Sequence, residues 1–138
     1  MNKFELFDHT ADIGLKVWSQ DFTGIFSTAA QGMFSVITEL KKVVPRLDFD
    51  ISLQGDRDSD LLVHWLNHLN YLMTTEEMLF SKFNILSIKN GRLLAQIRGE
   101  KFFPEKHEIF REIKAVTYHQ LILEKQSTGW YAQLLFDL

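Results

Sequence analysis

The sequence predicts an α+β fold: two helices packed on one face of a mostly antiparallel sheet, in a single compact domain covering residues 1–138. Three observations lead there. Two segments carry apolar residues at helical spacing, most of the remaining chain alternates apolar with polar residues, and turn-forming residues separate the alternating runs.

In chain order, Phe4 to Phe7 alternates briefly and leads into the turn-like Asp8-His9-Thr10-Ala11-Asp12. Ile13 to Trp18 then alternates apolar with small or polar residues, so the two runs read as a strand pair folded around that turn. Asp21 is a good helix N-cap. After it Phe22, Ile25, Phe26, Ala29, Ala30, Met33, Phe34 and Ile37 recur on one helical face, predicting a helix that ends near Leu40. Pro45 prevents its continuation. Leu47, Phe49, Ile51 and Leu53 alternate with Asp48, Asp50 and Ser52, a clear strand. The acidic turn 54–60 precedes a second helix. There Leu61, Leu62, Trp65, Leu66, Leu69, Leu72 and Met73 share a face, and the pattern carries to about Phe80. Phe83 to Ile88 and Leu93 to Ile97 flank Asn90-Gly91, the strongest short hairpin signal. Pro104 to His107 reads as a loop, Ile113 to Leu123 as β-rich, and Trp130 to Phe136 as a last strand.

Composition narrows the function. With 46% apolar residues, twelve of them Phe, the chain can bury a sizeable core. It has no cysteine, which excludes disulfides, thiolate zinc sites and thiol nucleophiles. The N-terminus becomes acidic within five residues with no apolar run after it, and no stretch of about 18 apolar residues occurs. These features lead us to expect a cytoplasmic protein without a signal peptide or membrane span. A net charge of −3 is not that of a protein living by direct grip on RNA phosphates. Charge is uneven, however, with nine Lys or Arg against five Glu between Lys82 and Lys125. A protein partner or a bound cation explains that better.

Three polar segments stand among apolar ones. Asp8 to Asp12 reads first as a hairpin loop whose Asp and Thr cap backbone groups; in a second reading Asp12 offers carboxylate oxygen to a hard cation such as calcium. Asp137 and the α-carboxylate of Leu138 close the chain with two anionic groups. They read either as a solvated end or, if the last strand lies beside the first turn, as partners of Asp12 around one cation. In Ile113 to His119, alternation sets Ile113, Ala115 and Thr117 on one face and Lys114, Val116 and Tyr118 on the other. Lys114 is then either a solvent-face residue or a positive charge offered to a partner. His64 and His68 are four apart, but they lack the glutamate of a zinc-protease helix and fall at or outside the edge of the apolar arc, so we assign them no metal. No nucleotide-binding glycine motif or nucleophile-elbow motif is present.

Phe4-Glu5-Leu6-Phe7-Asp8-His9-Thr10-Ala11-Asp12-Ile13-Gly14-Leu15 resembles the opening signature of the archease family. The likeness continues through Asp60 to Asn67, Gly99-Glu100, His107, Ile113 to His119, Trp130-Tyr131-Ala132 and the terminal Asp137-Leu138, with the blocks in order over the whole chain. The resemblance implies a compact α+β domain that is not itself an enzyme and has no catalytic residues. It implies a calcium ion held through Asp12, Asp137 and Leu138. It also implies action on an RtcB-type tRNA ligase in tRNA splicing or RNA repair, promoting guanylylation of the ligase and multiple turnover, with RNA met only through the ligase. Lys114 and His9 are the candidate partner contacts. Family members carry acidic residues where His64 and His68 stand here, so no metal role passes to that helix face. A chaperone-like interaction module and an independent metal-dependent hydrolase with His9 as base are the alternatives.

Overall fold

A computed structural model describes residues 1–138. Seven strands and two α-helices follow in the order β1 (Lys3–His9), β2 (Asp12–Ser19), α1 (Phe22–Ile37), β3 (Leu47–Gln54), α2 (Asp58–Glu76), β4 (Met78–Lys89), β5 (Arg92–Lys101), β6 (Ala115–Gln126) and β7 (Gly129–Asp137). Every strand pair is antiparallel. The α+β class stands as read from the sequence, with one addition: the strands divide into two sheets, ordered β1-β2-β7-β6 and β3-β5-β4. No strand of one sheet approaches the other sheet. Helix α1 packs on β2 and on β4, and α2 packs chiefly on β6, so the helices lie between the sheets and cover one face of each.

That position explains how apolar α1 is. Eleven of its sixteen residues are buried, among them Gly24, Thr28 and Gly32 beside the core residues from Ile25 to Ile37. The Asp21 carboxylate caps it, accepting the Gly24 N–H at 3.0 Å. The helix ends at Thr38, whose hydroxyl donates to the carbonyl of Glu108 at 2.7 Å. Trp65 of α2 is fully buried, and its indole N–H donates to the Phe26 carbonyl at 2.9 Å, locking the helices together.

Helix α2 stops earlier than its apolar pattern suggests. It ends at Glu76, and Glu77 takes a left-handed conformation (φ 55°) that turns the chain directly into β4. Met78, Leu79 and Phe80 are therefore strand residues, buried because β4 lies on α1 and not because the helix continues. The Asn90-Gly91 hairpin is present, with φ 54° and 73° at the two turn residues. In β6 the strand begins at Ala115. Ile113 is buried ahead of it and does not share a face with Ala115 and Thr117 as strict alternation required. No helix is long and apolar enough to cross a membrane.

Candidate functional site

The four-stranded sheet brings the two ends of the chain together. The hairpin β1–β2 closes through Thr10 and Ala11, with Ala11 at φ 62°, and pairs His9 with Asp12. On its other side β2 pairs with β7, and the register sets Asp12 directly opposite Asp137. Asp137 in turn pairs with Ala115 of β6, and the Lys114 N–H donates to the Asp137 carbonyl at 2.8 Å. His9, Asp12, Asp137 and Ala115 thus form one row across the end of the sheet. Strand alternation places that row on the face away from the helices, because the neighbours Phe136 and Val116 are buried in the core and Ile13 packs against it. Leu138 follows at once, half-buried against the core cluster. The expectation that the last strand lies beside the first turn is met by the pairing itself.

The side chains around this row are partly engaged. The Asp12 carboxylate has an oxygen 3.5 Å from His9 Nδ1, an ion contact without hydrogen-bond alignment, so that buried nitrogen has no hydrogen-bond partner. Beyond Thr117, β6 bulges, with Gln120 at φ 54°, before pairing resumes at Ile122. The bulge brings the His119 ring edge-on to His9, with centroids 6.1 Å apart. The Lys114 side chain is exposed and borders a groove beside α2.

The donor set suits a hard cation in kind. Like charges directly opposite in an antiparallel pair are destabilising, and Asp12 and Asp137 are so placed. Carboxylate oxygen is what calcium takes. No three acidic or imidazole side chains close on one point, so a third anionic oxygen would have to be the main-chain carboxylate of Leu138.

His64 and His68 do not form a site. His64 is exposed, with Nδ1 3.1 Å from the Gln54 carbonyl, and His68 stacks on Tyr71. Burial, with a smaller contribution from His64, lowers the pKa of His68 and favours its neutral form.

Sequence reasoning missed two ionic clusters. Asp60, in the first turn of α2, accepts from Arg57 Nε at 3.1 Å and from the Tyr118 hydroxyl at 2.9 Å. Arg57 and then Tyr118 hold its carboxyl below the usual range, tying α2 to the β6 bulge. Glu100 is 1% exposed. Its Oε2 accepts from Lys106 Nζ at 2.7 Å, the Val44 N–H at 2.8 Å and His107 Nε2 at 3.0 Å. Arg46 Nε stands 3.2 Å from Oε1 without hydrogen-bond alignment. Because His107 Nδ1 accepts the Phe103 N–H, Nε2 is the nitrogen left to donate. Burial pushes Glu100 up, but hydrogen bonds from Lys106, Val44 and His107 outweigh it and bring the carboxyl down to about 2. The one available signal was an acid followed six and seven residues later by Lys106 and His107.

A three-layer α+β domain with its first turn and last residues joined at one sheet end defines the class of fold, and comparison with known proteins identifies the family. Residues 4–138 match the model of the archease protein family (MTH1598/TM1083). The chain is 39% identical to the protein archease of Methanosarcina mazei, over 99% of this chain and 96% of that protein. It is 36% identical to the protein archease of Pyrococcus furiosus, over the full length of both. Among solved structures, Methanobacterium thermoautotrophicum protein 1598 superposes with a TM-score of 0.85 at 33% identity, covering 98% of each chain. An archease from Thermotoga maritima, described as a possible chaperone, has a TM-score of 0.63 at 18% identity over 96% of this chain and 94% of that one, a likeness of fold. The chain belongs to the archease family.

Proposed function

We propose that this protein is a calcium-binding activator of an RtcB-type RNA ligase, raising the ligase's guanylylation and turnover in tRNA splicing or RNA repair. One observation carries the proposal: the register that sets Asp12 opposite Asp137, one residue from the terminal carboxylate. Asp12, Asp137 and the Leu138 carboxylate would hold the ion, whose charge offsets a repulsion that the pairing otherwise leaves in place. His9 at one end of the row and Lys114, next to Ala115 at the other, offer a donor and a positive charge to the partner. A rigid patch of this kind lowers the cost of positioning groups on the ligase.

The test is ligation with limiting cognate ligase, excess RNA and GTP. Wild-type protein should raise the number of turnovers, and Asp12→Ala should abolish the rise while leaving the fold intact by circular dichroism. Full stimulation by a folded Asp12→Ala protein would refute the site. A chaperone-like reading finds support in the half-exposed rings of Phe103 and Phe110 on the segment between β5 and β6. It predicts suppression of aggregation of an unrelated client with no ligase present.

A further inference from the structure

The face of the four-stranded sheet that carries the row of His9, Asp12 and Asp137 also carries aromatic rings. Phe7 of β1, Trp18 of β2 and Tyr131 of β7 lie an even number of positions from those three residues, so strand alternation sets them on the same side, away from the helices. None of the three packs on the core cluster, whereas Trp130, one position along from Tyr131, does. The outer face of an antiparallel sheet is ordinarily polar, and the core does not account for three half-buried rings there.

Their arrangement is specific. Trp18 and Tyr131 are register partners on the two interior strands, with ring centroids 5.4 Å apart. Phe7 lies over Gly14, where a Cβ would run into its ring, so the rings form a low floor and not a pocket. Two ammonium groups stand over that floor: Lys3 Nζ is 4.8 Å from the Trp18 ring centre and Lys16 Nζ 5.3 Å from that of Phe7. Of the acids beside them, Glu5 is paired in register with Lys16, and Glu124 sits on the edge strand opposite Tyr131. Ring faces with cations poised above them repel a cationic ligand and suit one that is flat, aromatic and anionic. A nucleotide is all three. A floor without a pocket also lacks the socket that an anchoring protein side chain fills.

We propose that this sheet face binds single-stranded RNA, its bases stacked on Trp18, Tyr131 and Phe7. Unpaired bases are recognised by stacking on aromatic side chains. Both lysines are long and flexible, so a base can take the ring face while the ammonium group moves to the phosphate beside it. Two lysines are few, and stacking supplies most of the affinity, in keeping with a chain of net charge −3. Trp18 lies about 20 Å along β2 from Asp12, so a few nucleotides laid over Phe7 bring an RNA end to the row. The proposal rests on the ligase reading for that direction and for the source of the RNA, but not for the binding itself.

The test therefore uses the protein alone, without ligase or calcium. The probes are hexa-adenylate RNA, the same ribose-phosphate chain without bases, and a closed RNA duplex. The three tryptophans give three indole N–H signals by NMR. Trp65, whose N–H is held in the core by the Phe26 carbonyl, is the reference. Hexa-adenylate should shift Trp18 saturably and leave Trp65 in place. The baseless chain and the duplex should bind at least about tenfold more weakly. Trp18→Leu and Tyr131→Leu, shown to be folded by circular dichroism, should each weaken binding by about tenfold or more, and Tyr131→Phe, which keeps the ring, should retain it. Salt should weaken binding with a log–log slope no steeper than about 1.5, as expected of two lysines on a single strand. An unmoved Trp18 at millimolar hexa-adenylate, equal binding of the baseless chain, or indifference to both leucine changes would overturn the proposal. So would a wild type that binds no RNA while Trp18→Leu lowers affinity for the ligase, which would give the face to a protein partner.

Discussion

Replacing Glu100 with Gln is expected to destabilise the fold by about 3 kcal/mol at neutral pH, and by progressively less in acid. The magnitude comes from two directions. A carboxyl held at about 2 in place of its usual 4.5 corresponds, at roughly 1.4 kcal/mol per pH unit, to about 3 kcal/mol of folding stability. Counting bonds agrees. Glu100 Oε2 accepts three donors, which a glutamine carbonyl can meet only without the charge, while its N–H₂ takes the place of buried Oε1, faces Arg46 Nε and finds no acceptor. Weakened charge-assisted bonds together with a stranded buried donor cost about 2–4 kcal/mol. Arg46 and Lys106, 60% and 35% exposed, can turn to water, but the His107 side chain is fully buried and cannot. A carboxyl with a lowered folded pKa stabilises above its unfolded pKa, near 4.5. Its contribution drains away as pH falls from there toward 2. Urea unfolding followed by tryptophan fluorescence, at pH 7, 5 and 3.5, should give a wild-type–variant gap that is constant from 7 to 5 and narrower at 3.5. A gap under about 1 kcal/mol at pH 7, or one that does not narrow, would refute the assignment of this carboxylate as an ionised clasp.

Three further outcomes follow from single contacts. Asn67 accepts the Val116 N–H at 2.8 Å and donates to its carbonyl at 3.1 Å, acting as an extra partner for the edge strand β6. Asn67→Ala should therefore cost about 2 kcal/mol and raise the hydrogen-exchange rate of the Val116 amide. Glu77→Gly should stabilise by about 0.5–1 kcal/mol in thermal unfolding, because glycine takes the left-handed position without strain. A Cβ at Gly99 would run into the Leu79 carbonyl oxygen, where β4 and β5 are pressed together beside a β4 irregularity. Gly99→Ala should cost at least about 2–3 kcal/mol, read as a lowered denaturant midpoint.

Legibility in the sequence follows the range of the interaction. Helix α1, strand β3 and the Asn90-Gly91 turn are local, and spacing alone reveals them. The end of α2 is not: after four polar residues, Thr74 to Glu77, the apolar Met78, Leu79 and Phe80 read as the helical face resumed, and the switch from helix to strand rests on one left-handed glutamate with no glycine or proline to mark it. The division into two sheets depends on β7 inserting between β2 and β6, a choice among distant partners that no local pattern encodes. Asp12 and Asp137 stood out as acids at the ends of apolar runs, but their meeting needed the register. Glu100 was invisible for a different reason: strand alternation sends it away from the helix layer, and only the return of the 102–107 segment over it, with Lys106 and His107, makes it buried.

The same topology bears on why a binding row would sit at this end of the sheet. The last strand is interior, paired on both sides, so the final residues are held by two neighbours and do not fray as chain ends usually do. Phe136 is the last fully buried residue of the strand, and Asp137 lies just past it, on the exposed side of the alternation. A register slip of one residue would drive Asp137 into the core and Phe136 into water, so the hydrophobic pattern fixes the carboxylate opposite Asp12 with the full energy of the sheet behind it. Two like charges held together that firmly are a standing cost to the fold. Under the proposed function, the cation is what that cost selects for: Asp137→Asn should stabilise the calcium-free protein and, in the same stroke, remove the thermal shift that calcium gives the wild type. A calcium-dependent shift that survives unchanged in Asp137→Asn would mean that the ion is bound elsewhere.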